Sequence, residues 1–198
     1  MKKINTKVLA YAGVLIAMNV VLVRVVAIPI GPTLRITVGN VPIVLASFWF
    51  GPVVGAVCGG LGDLIGCILS GYAPIPLLLV SSILTGFLPY FFKKFVVKAI
   101  ASRDKKAGMY GKGFVRMLIM MAVVNLITSQ GISTLGLAIW QGIGFLEMFI
   151  LRLPQNILLT ITNSILVLLL YASPATSFVV NSTHSMIFES AGSKLRKV

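Results

Sequence analysis

Acid is what this chain has least of: its 198 residues hold 4 Asp and Glu against 17 Lys and Arg, and only Asp63 lies inside a long apolar run. There is 1 histidine, His184 near the carboxyl end, and 2 cysteines. Chemistry within a membrane by a Ser–His pair, a metal-bound water or a set of carboxylates needs groups that this composition does not supply, so enzymatic activity is not expected. The phosphate-binding pattern G-x-x-x-x-G-K-S/T is also missing, because Gly108, Gly111, Lys112 and Gly113 lack its spacing. The chain therefore does not hydrolyse nucleotide itself, and any energy source is a partner. Cys58 and Cys67 sit on one apolar segment, and at about 3.6 residues per turn they fall on roughly opposite helix faces, which argues against a disulfide. Neither has a His or second Cys at ligand spacing, so both read as small packing residues, and neither a metal nor a cofactor is expected.

What the chain does have is apolar length. It is 58% hydrophobic with a mean hydropathy of +1.02, and its apolar runs match helices of about 20 residues crossing a core of about 30 Å. The expectation is an all-α membrane protein, a bundle of six transmembrane helices. Interruptions place the spans. The first follows Lys7 and ends near Ile28, with Arg24 close enough to its end to snorkel. Pro29 to Asn40 carries Gly31, Pro32 and Gly39 and reads as an ordered loop, before a short span from Val41 to Phe50. Gly51-Pro52 makes a tight turn into span three, which ends near Ser70. Span four runs from about Ile75 to Phe92, where Lys93 and Lys94 stop it; spans five and six cover about Phe114 to Ile139 and Phe149 to Tyr171. Residues 1–172 form the membrane domain on this reading, and 173–198 a polar tail.

Short cytoplasmic loops collect Lys and Arg. With six spans, the basic amino terminus, the basic stretch from Lys93 to Arg116 and the tail ending in Lys194, Arg196 and Lys197 share one side, so both termini are expected in the cytoplasm. The net charge of +13 is then a topological bias and not a sign of nucleic-acid binding. Uncleaved, the first span anchors the chain in the plasma membrane.

Topology gives depth to the polar residues. Arg152, Asn156, Thr160 and Asn163 recur at helical spacing on span six, beginning near the outer surface. On span three, Asp63 lies among Gly55, Gly59 and Gly66, small residues that let another backbone approach. Span five adds Asn125, Thr128 and Ser129, and the outer loops add Arg24, Arg35, Tyr72, Trp140, Gln141 and Glu147. A polar cavity open to the outside explains these together, since an ionisable residue inside a membrane marks a functional site by default. The competing reading is structural: such residues also hold bundles together, and Asp63 would then pair with Arg35 or Arg152.

The segment LRITVGNVPIVLASFWFGPVVGAVCGGLGDLIG, from Leu34 to Gly66, resembles the folate-type substrate-binding subunits (S components) of energy-coupling factor vitamin transporters, through Leu34-Arg35, Pro42-Ile43, Gly51-Pro52, Gly55 and Asp63 to Gly66. The layout from about residue 8 to 171 fits the same family. The resemblance implies a vitamin-capturing subunit that works with a membrane-embedded T component and two ATPases. It implies that Ala10, Gly13 and Ala17 on the first helix meet the T component, and that the loop from Pro29 to Asn40 closes over the vitamin. Packing inside the bundle is the rival role for those small residues.

Arg24, Arg35 and Arg152 outnumber Asp63 and Glu147 at the outer end, a balance that suits an anionic vitamin, and folate fits it. Its glutamyl tail would pair with Arg35 or Arg152, Asp63 would accept from the pterin, and Tyr72 or Trp140 would stack on the ring. Asn40 and Asn156 complete the expected binding set. Thiamine, riboflavin or pyridoxine remain open as ligands. An accessory subunit that binds no solute and a self-sufficient secondary transporter compete; against the latter, no paired inverted repeat is visible.

Overall fold

The computed structural model describes residues 6–25, 28–30, 34–71, 73–100, 113–173, 176 and 179, with the backbone alone at 28–30, 34–36, 97–100 and 172. Helix α1 spans Thr6–Arg24, and two short strands follow, β1 (Ile28–Ile30) and β2 (Leu34–Ile36). Then come α2 (Asn40–Phe50), α3 (Pro52–Leu69), α4 (Pro76–Phe87) and α5 (Pro89–Ile100). Beyond residues 101–112, α6 (Phe114–Asn125) runs into a π-helical segment (Leu126–Ser133) and α7 (Thr134–Gln141); α8 (Phe145–Ala172) is the last long helix among the described residues.

The fold is thus helical as expected, with one addition. The expected loop contains an antiparallel hairpin in which Ile28, Pro29 and Ile30 face Ile36, Arg35 and Leu34. Pro29 cannot donate within a helix, and the alternating Ile and Leu residues on both sides of Gly31-Pro32 favour extended pairing.

By length and composition, 5 helices can cross a membrane: Thr6–Arg24, Pro52–Leu69, Pro76–Val96, Phe114–Gln141 and Phe145–Tyr171. Helix α2 has 11 residues, which reach only about 16 Å. It needs no more, because it is the core of the bundle. Val41 through Phe48 are all buried, and Val44, Leu45 and Phe48 pack against Met117, Met120 and Met121 of α6 and Val167 and Leu168 of α8. Gly51, at φ 103°, makes the turn into α3 with its N–H on the Ser47 carbonyl, and Pro52 starts the next helix.

Helices α3 and α4 touch backbone to backbone. A Cβ on Gly55 would strike the Gly86 carbonyl oxygen, a Cβ on Gly86 would strike that of Gly55, and a Cβ on Gly59 would strike that of Ser82. The glycine stripe of α3 has two destinations: Gly55 and Gly59 admit α4, while Gly62 lies on Asn19 and Gly66 on Arg24, both of α1. At the joint of α4 and α5 the chain stays helical, with Leu88 N–H on Leu84 O at 2.9 Å.

Following the chain, α1, α3 and α7 finish at the end of the bundle where the hairpin lies, and α2, α4 and α8 begin there. At the opposite end Lys93 Nζ donates to the Phe48 carbonyl, placing a cation on the last turn of α2. The expected polar tail lies outside the described residues from 180 onward.

Candidate functional site

Two polar groups gather at the hairpin end, on different helices. The first joins α1 and α3. Asp63 is half-buried, and the cation whose field acts on it is Arg24. Arg24 reaches over Gly66, donates from Nη2 to Cys67 Sγ at 3.7 Å, and has a buried Nε with no hydrogen-bond partner. The missing side chain at Gly66 is what admits the guanidinium: a Cβ there would lie 2.8 Å from Nε.

The second group is built by the π segment. Thr128 Oγ1 bonds back to Val124 O at 2.9 Å and Thr134 Oγ1 to Ser129 O at 3.1 Å, contacts by which Thr loosens the regular helical ladder. The widened turns present a polar face to α4 and α8. Ser133 donates to Ser81 Oγ at 2.7 Å, and Ser81 donates to Thr128 O at 2.9 Å. Ser129 donates to Asn156 Oδ1 at 2.8 Å, Asn156 donates to Gln130 Oε1, and Gln130 donates to Phe149 O at 2.9 Å. One step deeper, Asn125 donates to Thr160 Oγ1 at 2.9 Å.

Arg152 stands at the edge of this network. Its Nη1 donates to Thr134 Oγ1 at 3.0 Å, while its Nε is buried without a partner. That hydroxyl is the guanidinium's hydrogen-bond partner among the described residues, and no carboxylate there answers its charge. Asn156, by contrast, has both ends of its amide engaged.

The hairpin connects the two groups: it leaves the end of α1, beside Arg24, and β2 touches α8, the helix of Arg152 and Asn156. Arg35 lies on β2 opposite Pro29. Asn40 opens α2 at the same end, half-buried. Trp140 and Glu147 flank the turn between α7 and α8, both exposed, and Tyr72 lies outside the described residues. Ala10, Gly13 and Ala17 are exposed along α1, and a Cβ on Gly13 would meet nothing within 4 Å.

Sequence reasoning did not single out Ser81, Gln130, Ser133 or Thr134. The available signal was the cluster Thr128-Ser129-Gln130-Gly131 within an apolar span.

A groove of about 440 Å³ runs along the seam of α6, the π segment and α8. Asn125, Gln130, Asn156 and Thr160 line its floor, and the exposed side chains of Leu126, Leu153 and Ile157 its rim. It opens sideways between apolar residues, and its floor is part of the second polar group.

Residues 3–176 match the profile of the family described as ECF-type riboflavin transporter, S component. A curated relative, the folate transporter FolT of Clostridium novyi (strain NT), is 24% identical over 159 residues, covering 79% of this chain and 81% of the relative. Among solved structures, ThiT from Listeria monocytogenes aligns with a TM-score of 0.61 and 21% identity over 86% of this chain and 98% of that chain. FolT bound with folic acid aligns with a TM-score of 0.61 and 23% identity, over 90% of this chain and 95% of that chain. The S component for biotin from an ECF-type ABC transporter gives a TM-score of 0.58 and 20% identity, over 85% and 92%. At these identities the structural likenesses speak for the fold.

Proposed function

This chain belongs to the family of ECF-type riboflavin transporter S components, multi-pass membrane subunits that bind a vitamin for a transporter, and from that premise we propose that its ligand is folate. The observation that carries the choice is Arg152. A guanidinium buried at its Nε, held by one hydroxyl and answered by no described carboxylate, has donors left for an anion. Arginine binds a carboxylate through two parallel charge-assisted bonds, and folate brings two carboxylates on its glutamyl end. The similarity to a curated folate transporter supports the same ligand.

The hairpin end faces outside when the basic amino terminus and the basic residues from Lys93 to Arg116 lie in the cytoplasm. Arg152 then takes the glutamyl carboxylate, with Arg35 as second cation. Asp63, in the field of Arg24, accepts from the pterin, and Trp140 or Tyr72 covers the ring, with Asn40, Asn156 and Glu147 around it. Ala10, Gly13 and Ala17 on the open face of α1 meet the T component, which two ATPases energise in the bacterial plasma membrane. Riboflavin is the second reading, favoured by the description of the matching family.

Purified protein titrated with folate, riboflavin, thiamine and pyridoxine, read by tryptophan fluorescence, tests the choice. Folate is expected to bind tightly, and Asp63→Asn to weaken it while the protein still folds. Tight riboflavin binding without folate binding would refute the ligand and leave the family untouched. Failure to bind any of the four would refute folate and riboflavin alike.

A further inference from the structure

The strand that touches α8, the helix of Arg152, leads into a stem fastened to a different helix, and the fastening is specific. Asn19 on α1 is only 4% exposed. Its Nδ2 donates to Gly39 O at 2.7 Å, while its Oδ1 lies where a Cβ on Gly62 of α3 would be. One turn further along α1, Leu22 O accepts from Thr37 Oγ1 at 3.1 Å, and the same hydroxyl accepts the Gly39 N–H at 3.1 Å. Gly39 itself has no room for a side chain, since a Cβ would collide with Val23 Cγ2 and lie 3.3 Å from both Asn19 Nδ2 and Thr37 Oγ1.

Two bonds therefore tie Thr37 and Gly39, the stem directly after β2, to the last turns of α1, and a third, from Gly39 N–H to Thr37 Oγ1, braces the stem internally. This stem needs such ties. It belongs to neither β2 nor α2, so its polar groups have no ladder to join, and an unmade buried bond is costly. Asn is an expensive choice on an apolar helix unless the site uses its donor, and here the amide fits between Gly39 and Gly62. The hairpin's other end is covalently continuous with α1. Both roots of the hairpin thus sit on one helix, and β2 rests on α8.

We propose that Asn19 is a positioning residue for ligand retention: by clamping the Thr37–Gly39 stem to α1, it holds β2 over the α8 wall and slows escape of the bound vitamin. This rests on the vitamin-capture reading given above, but the clamp itself is measurable without any ligand. In the clamp, Asn19 contributes the donor, Gly62 the space and Thr37 the second tie. Asn19 touches no ligand in this arrangement, so its loss should act on the rate of leaving and not on the rate of arrival.

The test uses the full-length protein in detergent with two variants, Asn19→Ala and Thr37→Val. Limited trypsin digestion is followed by mass at the bond after Arg35, in β2, with the bonds after Lys94 and Arg116 as internal references. The unmade bond at Gly39 is expected to speed cleavage after Arg35 by about tenfold and leave the references unchanged. Stopped-flow tryptophan fluorescence with folate is expected to show an off-rate raised by a similar factor and an unchanged on-rate.

Unchanged cleavage after Arg35 in both variants overturns the clamp. Cleavage raised equally at all sites overturns it too, because that is global loosening. Faster cleavage with an unchanged folate off-rate overturns the retention role. If the unmutated protein binds no folate, the ligand assignment fails, and the digestion alone decides whether Asn19 holds the stem.

Discussion

Replacing Arg152 by Met separates binding from folding, because the two effects have opposite signs. An arginine in a membrane helix is unfavourable by up to about 2.5–3.5 kcal/mol, the insertion-scale value at the helix centre, and a hydrogen bond to a charged group returns about 1.5–3 kcal/mol. Arg152 has one such bond, to Thr134, and a buried Nε with none. The ligand-free protein therefore gains little or nothing from this side chain. Arg152→Met fills similar volume, and Thr134 keeps its bond to Ser129 O. The melting temperature without ligand should stay level or rise by a few degrees, at about 2–4 °C per kcal/mol for a chain of this size.

Binding should move the other way. Loss of a bidentate contact to a carboxylate removes about 3 kcal/mol, roughly a hundredfold in affinity. The assay is differential scanning fluorimetry with and without folate, alongside the fluorescence titration. At a folate concentration about 1,000 times the unmutated Kd, ligand stabilisation is about 4.1 kcal/mol, and a hundredfold weaker variant retains about a third of that. Arg152→Lys keeps the charge but not the fork and should fall in between. A variant that melts far lower while binding folate as tightly as the unmutated protein would make Arg152 a structural cation and refute the reasoning.

Three further substitutions probe the frame around the site. Gly55→Val puts a side chain against the Gly86 carbonyl and Ser47; overpacking of about 1–3 kcal/mol or more should lower the melting temperature and broaden the size-exclusion peak. Asn163 is 0% exposed with neither amide atom bonded, so Asn163→Leu should raise the melting temperature by the equivalent of about 1–3 kcal/mol and leave folate affinity unchanged. Gly13 has open space beside it, so Gly13→Leu should leave melting and binding within about 0.5 kcal/mol. The same variant should lose co-purification with the T component and folate uptake in cells.

The span pattern was legible where its punctuation is chemical, as at Gly51-Pro52; Lys93-Lys94, expected to stop span four, instead lie inside α5, which runs on to Ile100 because lysine is a good helix former. The hairpin was not legible, since three residues per strand are too few for an alternation to register against the glycine and proline around them. Nor was the π segment, because Thr128, Ser129, Gln130 and Ser133 fit a regular helix equally well until extra residues per turn rotate them toward α4 and α8. Asp63 stood out as one acid in an apolar span, but the cation beside it depends on how α1 crosses α3. The pair Gly62 and Gly66, at small-residue spacing, carried that information: it marks where Asn19 and Arg24 lie.

The polar residues of this bundle divide by whether their bonds are already made. Ser133 and Ser81 form one chain of bonds ending on Thr128 O, and Ser129, Asn156 and Gln130 form another ending on Phe149 O, in which both ends of the Asn156 amide are used. Such a network fixes α4, the π segment and α8 relative to one another; a ligand entering it would have to break bonds of equal strength, with no net gain. Arg24 and Arg152 differ, each with a buried Nε that lacks a partner. Residues of the first kind build the wall, and the two arginines, which carry charge as well as an unused donor, have binding capacity left for an anion. On this argument the expected contribution of Asn156 to affinity is indirect, through the placement of its neighbours. Substituting it should weaken binding only as far as it shifts Arg152, whereas substituting Arg152 should leave the wall intact.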